Sequence, residues 1–203
     1  IVSVGDIFLH DTNITAAYDA KTKTYDFDSV FAEVAEYFSQ ADLATAWLGG
    51  VLDTTGPYTG YPLFRSPSAL AQTLRSVGLD VVFRTNHTMD AGTIGLGKTT
   101  QILEQNSIAQ VAAADTEDKS QKIFIYQKDD LRVAYLGYIY GMNGLPIPKP
   151  WMVNLIDHDK IKNDIVLAKQ QADFVIVALH FGNEYERTAN AWQKETAQKI
   201  ADA

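Results

Sequence analysis

The sequence predicts an α/β fold. Short β-rich apolar runs alternate with stretches of helical periodicity along the chain. Several of these runs are apolar on both faces, as strands covered on both sides by other layers are. A third observation points to where function sits. Asp, Asn and His residues gather just past the ends of the runs, where open α/β sheets collect their functional groups.

Each element has its own signal. Ile1 to Val4 reads as a strand ending at Gly5-Asp6. Residues 28–38 put Val30, Phe31, Val34, Tyr37 and Phe38 on one helical face, with Asp28 as N-cap. Leu43 to Leu48 is a second strand, closed by Gly49-Gly50. Ser66-Pro67 opens a helix reaching Val77, with Ser66 as cap, Pro67 at the first helical position and Gly78 as the stop. Leu79 to Phe83 is a third strand, 92–105 a helix, and Ile108 to Ala112 a short strand. The runs 121–127 and 131–138, parted by Lys128-Asp129-Asp130, read as a hairpin. A loop rich in Gly and Pro spans Gly141 to Pro150. The helix over 158–171 places Ile161, Ile165, Ala168 and Ala172 on one face, Phe174 to Leu179 is the most apolar strand, and a last helix begins near Ala189. No repeat or linker divides the chain, so 1–203 reads as a single domain.

Composition excludes several function classes. A chain of 203 residues with 46% hydrophobic and 21% charged side chains can bury a sizeable core. Its 25 acidic against 17 basic residues, a net charge of −8, argue against a general nucleic-acid binder. The absence of cysteine excludes a disulfide scaffold, a zinc–cysteine site and thiol catalysis. No apolar run approaches the ~20 residues of a membrane span. The chain starts without an initiator Met or a basic leader, so any targeting segment is expected upstream of Ile1.

The strand exits carry the chemistry. The first gives Asp6, then His10 and Asp11; the second, Trp47-Leu48-Gly49-Gly50, has nothing ionisable before Asp53. The third gives Arg84-Thr85-Asn86-His87 and then Asp90, and the long apolar strand ends in His180, ahead of Gly182-Asn183-Glu184. Asp, Asn and His are the ligands of a hydrolytic Zn, Mn or Fe site. There, cations activate a water and neutralise phosphoryl oxygens, and a neighbouring His protonates the leaving group. Any one of these residues is equally well a strand-end cap or a hydrogen-bonded core group; their recurrence at three exits favours a site. His158, between Asp157 and Asp159, reads as a solvated capping residue.

One motif misleads. Gly92 to Thr99 matches the phosphate-loop pattern GxxxxGK[ST]. Such a loop must leave its strand directly, so that its amides wrap phosphates at the helix start. Here the eight residues Arg84 to Ala91 intervene, and Lys98 reads as an exposed helix residue.

The residues then become recognisable. Gly5-Asp6-Ile7-Phe8-Leu9-His10 resembles the opening motif of the bacterial capsule-synthesis CapA family, the PgsA-like group associated with poly-γ-glutamate synthesis. Tyr25-Asp26-Phe27-Asp28, Ala41-Asp42-Leu43-Ala44 and Tyr58-Thr59-Gly60-Tyr61-Pro62 continue the likeness. So do Asn86-His87 with Asp90 and Gly92, Leu136-Gly137-Tyr138, Tyr140-Gly141-Met142-Asn143-Gly144 and Val153-Asn154-Leu155-Ile156-Asp157. Leu179-His180-Phe181-Gly182-Asn183-Glu184-Tyr185 completes it, so the likeness runs in order over essentially the whole chain. The resemblance implies a branch of the calcineurin-like metallophosphatases: a four-layer α/β/β/α sandwich with a divalent-metal site (Mn, Zn or Fe) at the strand ends. It also implies an extracytoplasmic domain at the bacterial cell surface, membrane-anchored through a segment outside this chain. Carried over by position, Asp6, Asn86 and His180 are the candidate metal ligands, and His87 with Asp90 the candidate acid/base pair. His10, Glu184 and Arg84 are the candidate substrate-facing groups.

Three departures bear on activity. The family's Asn-Leu/Phe-Glu after the second strand is Trp47-Leu48-Gly49 here, so an amide and a carboxylate are absent together. Its Asn-Asn-His is Thr85-Asn86-His87, preceded by Arg84. Its final strand and histidine-rich loop fall beyond Ala203, so the domain is expected to stop before its C-terminal strands and to show an open sheet edge or apolar patch, with a second copy of the chain as one cover. Arg84 is either a fixed cation in the vacated space, binding a carboxylate or phosphate, or a partner of Asp90 or another nearby acid. Arg65, Arg75, Arg84 and Arg187 are the candidates for a local basic groove. Three functions follow: a metal-dependent phosphoesterase-like hydrolase, a non-catalytic accessory protein for an anionic capsular polymer or its synthesis and export machinery, or a generic ligand-binding module on the same fold.

Overall fold

A computed structural model of the chain describes residues 1–203 throughout. Strand β1 (Val2–Ile7) leads through α1 (Asp11–Ala17) and a short ribbon, β2 (Tyr18–Asp19) and β3 (Thr24–Tyr25), to the short helices α2 (Asp28–Phe31) and α3 (Ala35–Ser39). Then come β4 (Ala44–Leu48), β5 (Val51–Asp53), β6 (Arg65–Pro67), α4 (Ala69–Ser76), β7 (Val81–Arg84), α5 (Gly92–Gln105) and β8 (Ala109–Val111). The second half holds α6 (Glu117–Ser120), β9 (Phe124–Lys128), β10 (Leu131–Ile139), a 3-10 turn at Pro150–Met152, α7 (His158–Lys169), β11 (Phe174–His180) and α8 (Ala191–Ala201).

Two sheets face each other. The first is parallel, ordered β1-β4-β7-β8; the second is ordered β11-β10-β9, with β10 and β11 parallel and β9 returning antiparallel as the expected hairpin. Alternation along each strand divides the apolar side chains between layers. Ala44, Ala46, Leu48 and Val82 pack with Leu70, Leu74, Ile102 and Leu103 of α4 and α5 in the largest core. Leu43, Val81, Phe83 and Val111 turn the other way and meet Val133 and Tyr135 of β10 between the sheets. Ala134, Leu136 and Tyr138 pack on Ile161, Ile165 and Ala168 of α7. The layers therefore run helix, sheet, sheet, helix. β11 is an outer strand whose far edge has no partner strand. Its Val175, Val177 and Leu179 line an apolar groove of ≈370 Å³ with Ile165 and Ile200.

Four sequence expectations need correction. The 28–38 helix is broken into α2 and α3, and Phe31 and Phe38 are buried while Val30, Val34 and Tyr37 are exposed. Asp28 is the first helical residue and not its cap, and its carboxylate accepts the Thr73 hydroxyl at 2.7 Å, tying α2 to α4. Ser66-Pro67 lies in β6, paired with β5, and the helix starts after Ser68. Asp157, not His158, caps α7, accepting the Lys160 N–H at 2.8 Å; the His158 ring turns toward Thr196 of α8. Lys98 keeps an exposed helical side chain as expected, while its Nζ lies 3.0 Å from both carboxylate oxygens of buried Asp53.

A candidate site where the two sheets meet

A β-bulge aims the first site residue. Ser3 pairs with Thr45 but Asp6 with Trp47, so Val4 and Gly5 oppose the single residue Ala46. The extra residue reverses the alternation. In a regular strand Asp6 would face the helix layer with Val2 and Val4; the bulge turns it to the face of Ser3 and Trp47, which looks at the second sheet. There Asp6 Oδ2 stands 3.1 Å from Nε2 of His180, the last residue of β11. The His180 ring lies between aromatic neighbours, 5.2 Å from the Trp47 ring and stacked at 6.0 Å on Tyr140.

Tyr140 links this pair to the loop after β7. Its hydroxyl accepts from Asn86 Nδ2 at 2.8 Å. Asn86 Nδ2 also donates to Asn143 Oδ1 at 2.9 Å, and Asn143 Nδ2 lies 3.0 Å from His87 Nε2. His87 Nδ1 is 2.8 Å from Asp90 Oδ2, which also accepts the Phe64 N–H at 2.6 Å. This network assigns the tautomer: Asn143 donates to Nε2, so the ring proton sits on Nδ1 and is donated to Asp90. A carboxylate on Nδ1 orients an imidazole and stabilises its cation, and Nε2 is left to exchange a proton once Asn143 yields its hydrogen bond. Asp90 is 1% exposed and His87 13%, so the pair is sheltered and still reachable.

Tyr140 and Asn143 carry no strand-exit signal of their own, although both lie in the stretch Tyr140 to Gly144 that resembles the family. Asn143 sits at φ +51°, a left-handed turn position that Asn tolerates and that throws its side chain across to His87. Phe64 was missed as well; its ring meets the edges of His87 and His10 at 4.8 and 5.1 Å. His10, ahead of α1, therefore flanks the site through Phe64 and not by direct contact with Asp6.

Two candidates lie apart from the network. Glu184 is exposed on the loop after β11 and makes no hydrogen bond or ion pair. Arg84 is the last residue of β7, and because Phe83 faces the second sheet, alternation turns Arg84 to the helix layer. It is fully buried, donating to the Gly50 carbonyl at 2.7 Å. Burial lowers its pKa to about 10, against the opposing charge of Asp90. A sealed guanidinium cannot receive a polymer or a phosphate, so the anion-site reading fails, while the charge of Asp90 acts on Arg84 without a direct hydrogen bond. Of the other arginines considered for a basic groove, Arg65 pairs with Asp53 and Arg75 with Asp80, while Arg187 is exposed.

The donor set does not match a two-metal clamp. Asp6 and His180 approach each other, with Asn86 reached through Tyr140, but no three His, Cys, Asp or Glu side chains converge. At the second exit a glycine stands against an aromatic ring. A Cβ on Gly49 would lie 2.1 Å from the Phe8 ring, so an apolar ring fills the space a side chain at 49 would need. Phe8 is held there by Phe64 and His87, at 4.7 and 5.4 Å.

Comparisons with known proteins agree with this frame. The fold matches the calcineurin-like phosphoesterase YfkN of Bacillus subtilis at a TM-score of 0.51 and 14% identity, over 92% of this chain and 63% of that one. It matches the NAD nucleotidase NadN of Haemophilus influenzae at 0.51 and 18% identity, over 78% and 32%. In sequence, 121 residues are 29% identical to the PGA biosynthesis protein CapA of Bacillus subtilis (strain 168), 58% of this chain and 32% of that protein. The chain thus matches about a third of that relative's length. The profile of the bacterial capsule synthesis protein PGA_cap covers residues 1–203, and the chain belongs to that family.

Proposed function

We propose that the chain acts as a non-catalytic accessory domain in the assembly, tethering or export of an anionic capsular polymer, poly-γ-glutamate by family resemblance, on a phosphoesterase-like frame with a reduced metal site. The observation that carries this reading is the Phe8 ring in the space beside Gly49. It leaves Asp6 and His180 without a third charged ligand where a hydrolytic cation pair needs several. The reading puts the domain outside the cytoplasm at the bacterial surface, with anchoring supplied from beyond residues 1–203 and a second copy of the chain as neighbour. No helix here is long and apolar enough to cross a membrane.

A second reading, a metal-dependent phosphoesterase-like hydrolase, is favoured by the His87–Asp90 pair, whose geometry suits proton transfer. Two measurements separate them. Under the accessory reading, protein exposed to Mn, Zn or Fe keeps substoichiometric metal and does not hydrolyse an aryl phosphate. A full-length protein carrying His87→Ala then still restores surface polymer to a deletion strain. Stoichiometric metal with turnover that His87→Ala abolishes would establish the hydrolase and remove the accessory reading.

A further inference from the structure

The edge of β10 opposite β11 is covered in two pieces with a gap between them. β9 pairs as far as Tyr135 with Phe124, and the segment after the 3-10 turn resumes at Ile139 with Leu155. Gly137 falls in the gap. Ladder alternation points its N–H and C=O away from β11, since Tyr140 N–H bonds to His180 and Ile139 N–H to Asn154 on the opposite side. Continuing the antiparallel register puts Lys122 opposite Gly137, but there the chain has turned away, and Lys122 N–H goes to the Lys119 carbonyl. The β9 ladder thus stops short of Gly137, and none of the turn and loop hydrogen bonds reaches it.

A cavity of ≈160 Å³ occupies this gap, sharing no lining residue with the strand-end site. Tyr135 lines it, and the Tyr135 hydroxyl is buried without any hydrogen-bond partner although the residue is only 2% exposed. A buried donor left unpaired is costly and calls for an occupant. The space exceeds the ~30 Å³ share of one water and is of the size that admits a benzene-sized body. Its apolar wall includes Trp151, Phe124 and Leu136. Its charged lining is Lys119, Lys122 and Lys160 against the single acid Asp164, in a chain of net charge −8. Lys119 is neutralised by Glu104 and Asp115, and Lys160 by Asp164, whereas Lys122 has no ion pair.

We infer that this cavity is a second binding site, for a small carboxylate with a compact apolar body. The carboxylate accepts from Gly137 N–H in the place β9 vacates and meets the Lys122 ammonium, and the Tyr135 hydroxyl gains its missing partner. Nothing in this depends on whether the strand-end site is catalytic.

Benzoate, with benzyl alcohol as its neutral counterpart, tests the site by amide-resolved NMR titration of the 203-residue chain. Benzoate is expected to shift the Gly137 amide saturably and to bind about tenfold tighter than benzyl alcohol. Lys122→Met should bring the two ligands to parity. Tyr135→Phe should weaken benzoate about fivefold with the remaining spectrum unchanged. No saturable shift, equal response to both ligands in the unaltered protein, benzoate affinity unchanged in both variants, or a cavity holding ordered water only would each overturn the inference.

Discussion

His180 Nε2 stands 3.1 Å from Asp6 Oδ2 across 174 positions of sequence, and this contact joins the C-terminal end of β11 to the bulge of β1. It brings one residue from each sheet together at the crevice between them, where Tyr140 and the Asn86–His87 loop close the other side. The Asp6 side chain keeps 39% of its exposure, so solvent screens the pair. A double-mutant cycle with Asp6→Asn and His180→Asn, followed by urea unfolding in the presence of chelator, is expected to give a coupling of about 0.5 kcal/mol. A coupling of several kcal/mol would mean that the two groups hold the sheets together as a desolvated pair.

Gly49 tests the crowding at the second strand exit. Any Cβ there meets the Phe8 ring at 2.1 Å, and that ring is wedged by Phe64 and His87. Gly49→Ala should therefore destabilise the fold by about 1–3 kcal/mol, the range for overpacking. Adding Phe8→Ala should recover part of the loss, because the second change empties the space the first one needs. Equal losses from Gly49→Ala with and without Phe8 would show that the cost does not come from contact with the ring.

How much of this was legible depends on how local each signal is. The 92–105 helix and the 121–138 hairpin rest on periodicity and turn residues close in sequence, and both appear as expected. The N-cap expected at Asp28 fails because its carboxylate accepts from the Thr73 hydroxyl far along the chain, a tertiary contact that local sequence does not carry. Asp6, Asn86, His87, Asp90 and His180 were legible through the strand-end rule, and the structure joins them directly or through Tyr140 and Asn143. What turns Asp6 inward is a register shift against β4, a property of two paired strands that one strand's sequence does not carry. Arg84 was placed at a strand exit, yet it lies within β7, where alternation against Phe83 sends it to the helix layer. The Phe8–Gly49 exclusion is purely tertiary.

Asp90 is expected to hold the loop before β6 as well as His87. Its Oδ2 accepts the Phe64 N–H at 2.6 Å and faces His87 Nδ1 at 2.8 Å. Asp90→Ala strands both donors in a buried setting, at a cost of about 1–3 kcal/mol. Asp90→Asn keeps one acceptor oxygen and should lose less. Hydrogen exchange at the Phe64 amide reports the change directly: it should speed up markedly in Asp90→Ala. An unchanged rate would mean that Phe64 is held by its aromatic neighbours alone.

Asp53 gives the fold a defined acid sensitivity. Its carboxylate is 3% exposed at the end of β5, and burial by itself would raise its pKa. Hydrogen bonds from Lys98 and Arg65 outweigh that and lower it from 3.8 to about 2. Lys98 comes from the phosphate-loop-like octet, so the residue that makes the motif look like a nucleotide site is used to neutralise a buried acid. The folded state therefore favours the carboxylate more than the unfolded chain does. This contribution, about 2 kcal/mol, is complete above the unfolded pKa near 4 and declines as pH falls toward the folded value. Asp53→Asn should be less stable than the parent by at least that amount at pH ~7, and the gap should narrow steadily below pH ~4. Lys98→Met, which removes one of the two cations, should show a shallower version of the same dependence. Urea unfolding at a series of pH values reads all three proteins on one scale, and a gap between parent and Asp53→Asn that stays constant into acid would show that the ion cluster contributes through packing and not through charge.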